Sequence, residues 1–177
     1  MRLCVASFAL MSFLAGGAAT GQTARGSCAR VEVTSGPPAR SLSSSILVPT
    51  PPRFEVTKIL DLTFTVLLPA STEGEHLVEL RVFTPDAQLY RSMAMPVARS
   101  APANATRKVE GYGRPLPQQA LTQVSRGRSL FRAASTRFPV AGTDIVSSGL
   151  YGRWRVEAYL DGAEQVCGPA ASFVLHP

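Results

Sequence analysis

The stretch LYGRWRVEAYLDG, residues 150–162, has the most regular strand pattern of the chain and holds its only tryptophan. Apolar residues alternate there with mostly polar ones, Trp154, Val156, Ala158 and Leu160 against Arg153, Arg155, Glu157 and Tyr159. A period of two places successive side chains on opposite faces of a strand, so one face is predicted to be buried and the other solvated. The Asp-Gly pair at its end predicts a turn, after which residues 172–175 are expected to form a returning strand.

Three further stretches alternate in the same way earlier in the chain. In residues 54–68, one face is predicted to carry Leu60, Leu62, Phe64, Val66 and Leu68, and the other Asp61, Thr63 and Thr65. Residues 75–83 and 89–97 follow with short turns between them, which is typical of antiparallel strands. With no convincing long helical pattern, the chain is predicted to be all-β, with roughly six to nine short strands in an antiparallel sandwich.

The first residues have the features of a secretory signal peptide. Arg2 precedes an apolar run at residues 3–14, and small residues follow, with Gly17 and Ala19 suited to the positions before a cleavage site. The run is shorter than the roughly 20 residues that span a bilayer. Residues 1–19 are therefore predicted to be a signal peptide, with an uncleaved anchor as the alternative. This predicts an exported protein, periplasmic or extracellular, without a transmembrane segment after cleavage.

The predicted mature chain begins with an irregular segment. Residues 20–53 contain one short strand candidate, residues 31–33, followed by serine- and proline-rich sequence that disfavours a central strand. Residues 54–177 are assigned to one β-sandwich domain, since a chain of this length can bury a sizeable core.

Two cysteines remain after removal of the predicted signal peptide, Cys28 and Cys167. An even pair in an oxidising compartment favours a disulfide. This bond would join the start of the mature chain to the residues before its last strand. Two free thiols, or one cysteine exposed for intermolecular pairing, are the alternatives.

Positive charge is concentrated in one segment. The formal net charge is +6, yet residues 99–137 alone hold eight basic residues against one acidic residue, Glu110. Residues 98–138 are predicted to be a long basic insertion in the sandwich. Because aromatic residues interleave with the arginines, the segment suits binding of an anionic surface, with a solvated loop face as the alternative. The candidate contacts to an anionic or protein partner are Arg107, Lys108, Arg114, Arg126, Arg128 and Arg132.

Two blocks of the sequence resemble immunoglobulin-like domains of exported bacterial proteins. The closing stretch LYGRWRVEAYLDG, with ASFVL at residues 171–175, is similar to the last hairpin of those domains. Residues 77–90 are similar to a strand–turn–strand unit in the middle of the sandwich. The resemblance implies an immunoglobulin-like β-sandwich and implies little about function. Trp154 lies near Cys167, which departs from antibody domains, so their inter-sheet disulfide is not carried over.

Residues suited to catalysis are scarce. His76 and His176 are the two histidines, and His76 is expected to be an exposed or partly satisfied polar residue at a strand start. No Gly-x-Ser-x-Gly run favours a Ser–His–Asp arrangement. No His/Cys spacing favours zinc, and the aspartates lie singly near turns rather than clustered for calcium. No catalytic residue, metal site or cofactor is predicted.

These features favour a non-enzymatic exported module that binds or scaffolds in the cell envelope or extracellular space. Its expected partner is an unknown protein or an anionic polymer of the cell surface, and no nucleic acid is expected for an exported protein. The alternative is a small secreted hydrolase or hydrolase accessory domain. That alternative would require His76 to be buried within hydrogen-bond reach of a serine and a carboxylate.

Overall fold

The computed structural model describes residues 28–36, 41–42 and 51–177, so the predicted signal peptide lies outside the described residues. The helical elements within these ranges are a 3-10 turn at Val56–Lys58 and the short helix α1 at Asp144–Ser147. The strands there are β1 (Arg30–Thr34), β2 (Ser41–Leu42), β3 (Arg53–Glu55), β4 (Asp61–Pro69), β5 (Glu75–Phe83), β6 (Leu89–Ala98), β7 (Thr106–Arg107), β8 (Leu116–Pro117), β9 (Gln119–Ala120), β10 (Thr122–Arg126), β11 (Ser129–Pro139), β12 (Gly152–Leu160) and β13 (Ala171–His176).

The strands form two sheets that pack against each other. The first sheet has the order β1-β4-β11-β10-β2 and the second β3-β13-β12-β5-β6-β9, while β7 and β8 pair as a separate hairpin. Most neighbours are antiparallel, but β2–β10, β3–β13 and β6–β9 are parallel. The predicted all-β sandwich is confirmed. Its central strands follow the immunoglobulin order, A-B-E-D in the first sheet and G-F-C-C′ in the second.

Aromatic rings from both sheets meet in the centre of the core. The Trp154 ring lies 6.1 Å from Phe173 within the second sheet and 6.2 Å from Phe138 of the first sheet. Phe138 in turn stacks on Phe64 at 5.1 Å. The Trp154 indole N–H donates to the Leu150 carbonyl at 3.0 Å, which satisfies the polar atom of a fully buried ring.

Strand β12 follows the alternation that its sequence predicts on the inner face. The four predicted core side chains are all buried: Trp154, Val156, Ala158 and Leu160. On the outer face, Arg153 and Arg155 are exposed, but Glu157 and Tyr159 are buried. The prediction of a solvated outer face is therefore wrong for these two residues: Arg81 of β5 covers the Tyr159 ring, and Glu157 accepts hydrogen bonds from Arg155 and Tyr159 on either side of it.

Strand β4 is buried on both faces. The predicted core residues within the strand are all buried: Leu62, Phe64, Val66 and Leu68. Leu60, predicted to join them, precedes the strand and is 79% exposed. Thr63 and Thr65, predicted to face solvent, are buried because β1 and β11 flank β4 on either side. The Thr65 hydroxyl lies 2.9 Å from that of Ser135 on β11.

The segment predicted as a long basic insertion, residues 98–138, is largely part of the sandwich. β10 and β11 pair with each other, and β11 pairs with β4 along residues 131–139. The excursion between sandwich strands is confined to residues 99–118, because β9 already pairs with β6. The pattern of β11 is weak in sequence because the small residues 133–136 give little contrast between apolar and polar positions. β1, assigned to the irregular segment 20–53, also pairs with β4 and belongs to the first sheet.

Cys28 and Cys167 form the predicted disulfide, with their Cα atoms 4.9 Å apart. Cys28 precedes β1 of the first sheet, and Cys167 lies between β12 and β13 of the second. The Cys28 amide also donates to the Cys167 carbonyl at 2.6 Å. A Cβ at Gly168 would lie 2.6 Å from the Cys28 carbonyl oxygen, so glycine permits this close approach. The bond therefore links the two sheets at one end of the sandwich.

Candidate functional site

The six basic side chains predicted as partner contacts are divided between two hairpins. Arg107 lies on β7, and Lys108 and Arg114 lie in the loop that joins β7 to β8. The other three belong to the β10–β11 hairpin of the first sheet: Arg126 on β10, Arg128 in the turn and Arg132 on β11.

Arg126 is bound inside the protein. Its side chain is 5% exposed, and its guanidinium donates to both carboxylate oxygens of Glu32 at 2.7–3.0 Å. Arg30 donates to the same carboxylate at 2.8 Å. Burial raises the pKa of Glu32, but the hydrogen bonds and charges of Arg126 and Arg30 outweigh it and hold that pKa below its ordinary value. Arg126 is therefore a structural residue whose charge is already neutralised.

Arg128 and Arg132 occupy different environments. Arg128 is exposed in the turn next to Gly127, whose φ of 62° fits glycine. Arg132 is half-buried and lies close to Glu73, whose pKa is lowered mainly by a hydrogen bond from Arg99 and further by the charge of Arg132. Neither contacts the β7–β8 hairpin through a hydrogen bond of the described residues.

Some polar side-chain atoms of the β7–β8 hairpin and the residue after it are buried. Arg107 Nη1 and Gln118 Nε2 are buried and have no hydrogen-bond partner among the described residues. Arg107 pairs with Leu116, and the backbone N–H of Gln118 donates to the backbone carbonyl of Ala105 at 2.8 Å. This register places the Arg107 and Gln118 side chains diagonally on one face of the hairpin. Of its three predicted contacts, Lys108 and Arg114 alone are exposed.

The outer face of the second sheet carries an ordered set of charged and aromatic side chains. β12 pairs with β5 on one side and β13 on the other, and β3 pairs with β13. Side chains that point away from the core therefore line up across these strands. We call this surface the arginine face; its members are Arg53, Glu79, Arg81, Phe83, Arg153, Arg155, Glu157 and Tyr159.

Two arginines of this face lie over aromatic rings. Arg155 is directly opposite Phe83, and its guanidinium carbon is 4.4 Å from the ring centroid. The guanidinium carbon of Arg81 is 4.1 Å from the centroid of Tyr159. Such contacts contribute about 0.5–1 kcal/mol at exposed sites. They also hold each guanidinium group in place over its ring.

Two glutamates hold the same arginines from the side. Glu79 accepts a hydrogen bond from Arg81 Nε at 2.8 Å. Glu157 accepts one from Arg155 and another from the Tyr159 hydroxyl, the latter at 2.7 Å. Each guanidinium group therefore has a ring beneath it and a carboxylate beside it, and among the described residues these carboxylates are its side-chain hydrogen-bond acceptors.

The ionisation of the network follows from these contacts. The hydrogen bond from Arg81 lowers the pKa of Glu79, and the same bond raises the pKa of Arg81. Ser92 also donates to Glu79, at 2.7 Å. Burial, followed by the hydrogen bond to Glu157, raises the pKa of Tyr159. At neutral pH the face therefore holds an ionised glutamate, a charged arginine and a neutral tyrosine at these positions.

Arg53 and Arg153 add charge to the same surface. Both are exposed, and neither forms an ion pair with a carboxylate of the described residues. The face has four arginines and two glutamates, so positive charge is in excess. This surface was missed by sequence reasoning. The sequence does show charged and aromatic residues at the outward-facing positions of β5 and β12. The register that pairs these two strands, however, cannot be deduced from the sequence of either strand alone.

His76 contacts a carboxylate and a backbone carbonyl. Its Nδ1 lies 2.7 Å from Asp161 Oδ2, and its Nε2 lies 2.8 Å from the Glu73 carbonyl oxygen. In a Ser–His–Asp triad the second ring nitrogen accepts the serine proton. Here that nitrogen faces the carbonyl, so this geometry gives the hydrolase alternative no support.

Two clefts lie on either side of Leu60. The larger, about 490 Å³, is lined by Lys58, Asp61 and Arg137 among others, and its Arg137–Asp61 pair is separated by 3.9 Å. The smaller, about 300 Å³, is lined largely by apolar residues such as Val56 and Val146. Within the described ranges, no group of three or more His, Cys, Asp or Glu side chains could hold a metal ion. Neither cleft offers recognisable chemistry.

Comparison with known proteins adds no relative: no protein-family model matches the chain, and no curated protein matches it.

In the part of the chain that the structure describes, no helix is both long and apolar enough to cross a membrane. The surfaces described above are therefore the basis for assigning a function.

Proposed function

We propose that the protein is a non-enzymatic exported module that binds an acidic partner through the arginine face. The observation that carries the proposal is the fixed orientation of Arg81 and Arg155, each stacked on a ring and held by a glutamate. A guanidinium group that is already oriented loses less conformational entropy when it binds a carboxylate. Arginine and tyrosine are also enriched among the residues that dominate the energy of protein interfaces.

The charge of the face supports an acidic partner. Arg53 and Arg153 lie beside the stacked pair and have no carboxylate of their own among the described residues. The β7–β8 hairpin is a weaker candidate, because its exposed charges, Lys108 and Arg114, have no stacking partner in the described part of the chain. Positive charge attracts an acidic partner in either place, but only on the arginine face do rings and carboxylates of the described residues also hold the guanidinium groups in position.

Export is supported by two independent features. The Cys28–Cys167 disulfide is of a kind that persists in oxidising compartments and is rare in the cytosol. Residues 1–19 have the composition of a secretory signal peptide.

Retention on immobilised poly-L-glutamate tests the proposal. The variant Arg81→Gln/Arg153→Gln/Arg155→Gln is expected to elute at clearly lower salt than the wild type, because it removes three of the four cations of the face. The matched control is Arg107→Gln/Lys108→Gln/Arg114→Gln, which removes the same charge from the hairpin. It is expected to elute close to the wild type.

The two variants have equal net charge, so their difference reports location alone. If the hairpin variant loses retention and the face variant keeps it, the arginine face is not the binding surface. Equal losses would mean attraction to net charge without a site, which also contradicts the proposal. Thermal unfolding of both variants confirms that each is folded before it is compared.

A further inference from the structure

We infer that the arginine face binds an extended acidic peptide segment in which every second residue is acidic. This inference rests on the proposed function and names the chemistry of its partner. Arg153 and Arg155 are two residues apart on β12, so their side chains leave the same face about 6.8 Å apart along the strand. An extended peptide presents every second side chain on one side at the same interval.

The remaining arginines extend this pattern across the sheet. Arg53 and Arg153 both oppose Val174, so they lie in one row, two strands or about 9.6 Å apart. Arg81 opposes Glu157, which places it diagonally to Arg155 on the neighbouring strand. A segment lying over β12 therefore has arginines beneath it and on both sides.

The stacked guanidinium groups suit carboxylates in particular. A planar guanidinium group can donate two parallel hydrogen bonds to one carboxylate. For Arg81, Glu79 accepts from Nε, and within the described part of the chain no hydrogen bond uses the two terminal nitrogens. Arg155 gives one terminal nitrogen to Glu157, which leaves its other donors for an incoming group.

The face is less suited to a densely sulfated glycan. Glu79 and Glu157 each lie beside one of the stacked arginines, so the face also carries negative charge that disfavours a polymer charged negatively at every unit. The face also ends in apolar contacts, since Phe83 is half-buried and its partner Leu89 is 55% exposed. A peptide that alternates acidic with small or apolar residues matches this mixture of charge and apolar surface.

Binding of two short fluorescent peptides of equal composition tests the inference. In one peptide glutamate and threonine alternate; in the other, pairs of glutamates alternate with pairs of threonines, so no two carboxylates lie two residues apart. The alternating peptide is expected to bind with a Kd at least about tenfold lower, since it can engage one more charged hydrogen-bonding site. The variant Arg153→Gln/Arg155→Gln should weaken it about a hundredfold, whereas Lys108→Gln/Arg114→Gln should leave it unchanged.

A heparin fragment is measured alongside the peptides. If both peptides bind with equal Kd and both are weakened by Arg153→Gln/Arg155→Gln, the inferred two-residue spacing of acidic side chains is wrong. The arginine face is then still the binding surface. If heparin alone binds and needs those arginines, the partner is a polyanion and the peptide assignment is overturned. If the peptides bind equally well to the Arg153→Gln/Arg155→Gln variant, both the inference and the proposed function fail.

Discussion

Arg126 shows how far the role of one charged residue depends on its neighbours. In sequence it is one of a group of arginines that favour an anionic partner. In the fold it donates three hydrogen bonds to the Glu32 carboxylate, with its side chain 5% exposed. Removing Arg126 leaves the mostly buried Glu32 carboxylate with Arg30 as its remaining partner, which is costlier than the loss of a surface contact.

Arg126→Met is accordingly expected to destabilise the protein by roughly 2 kcal/mol. Arg128→Met, two residues along in the exposed turn, should change stability by less than about 0.5 kcal/mol. Urea unfolding of both variants measures the difference. Equal midpoints for the two variants would show that the buried pair does not stabilise the fold.

The Glu32 carboxylate makes the stability of the fold depend on pH. Its pKa is lowered in the folded protein, so its contribution to stability is present above its ordinary value of 4.5 and is lost as pH falls through the folded pKa. Glu32→Gln should therefore unfold at lower urea than the wild type at neutral pH. Below pH 4.5 the difference between the two urea midpoints should narrow, because the wild-type side chain becomes neutral as well. A gap that stays constant down to low pH would contradict this assignment.

Among the elements, β12 is the one that its sequence describes best. Large apolar residues on one face of a strand leave little doubt about which face is buried, and Trp154 is fully buried as predicted. Trp154→Ala is expected to cost roughly 3–5 kcal/mol. Leu130→Ala, at a 53% exposed position, serves as the control and should cost less than about 0.5 kcal/mol. Thermal and urea unfolding measure both; an unchanged Trp154→Ala midpoint would refute the burial.

The outer faces of the strands are harder to predict than the inner ones. Whether Tyr159 is exposed depends on Arg81, which lies on a different strand and covers its ring. Leu60 continues the apolar period of β4, yet the strand begins after it. A periodic pattern shows which side chains share a face, whereas strand ends and cross-strand neighbours depend on pairing that a single strand does not specify.

At the scale of the whole molecule, the disulfide closes most of the described chain into one loop. Cys28 and Cys167 are 139 residues apart and connect the first sheet to the second. Sequence predicts the pair because it is even and the chain has the features of export. The wider assignment of residues 98–138 as an insertion was too broad, because small residues along β11 conceal a strand that pairs with β4.

Cys28→Ser/Cys167→Ser is expected to lower the free energy of unfolding by roughly 4–5 kcal/mol, since a long loop in the unfolded chain is no longer closed. Reduction of the wild-type protein should produce a similar shift in the urea midpoint. Alkylation of two thiols in unreduced secreted protein would show instead that the bond is absent.

We propose that the arginine face is a preorganised site for acidic segments, and NMR can locate the bound peptide on the surface. The arginine Nε–H resonances of the purified, disulfide-bonded protein can be followed by NMR during titration with the alternating glutamate–threonine peptide. We expect the resonances of Arg81, Arg153 and Arg155 to shift with one common Kd, while those of Arg107 and Arg114 stay in place. Shifts confined to Arg107 and Arg114, with Arg81 and Arg155 unmoved, would contradict the claim.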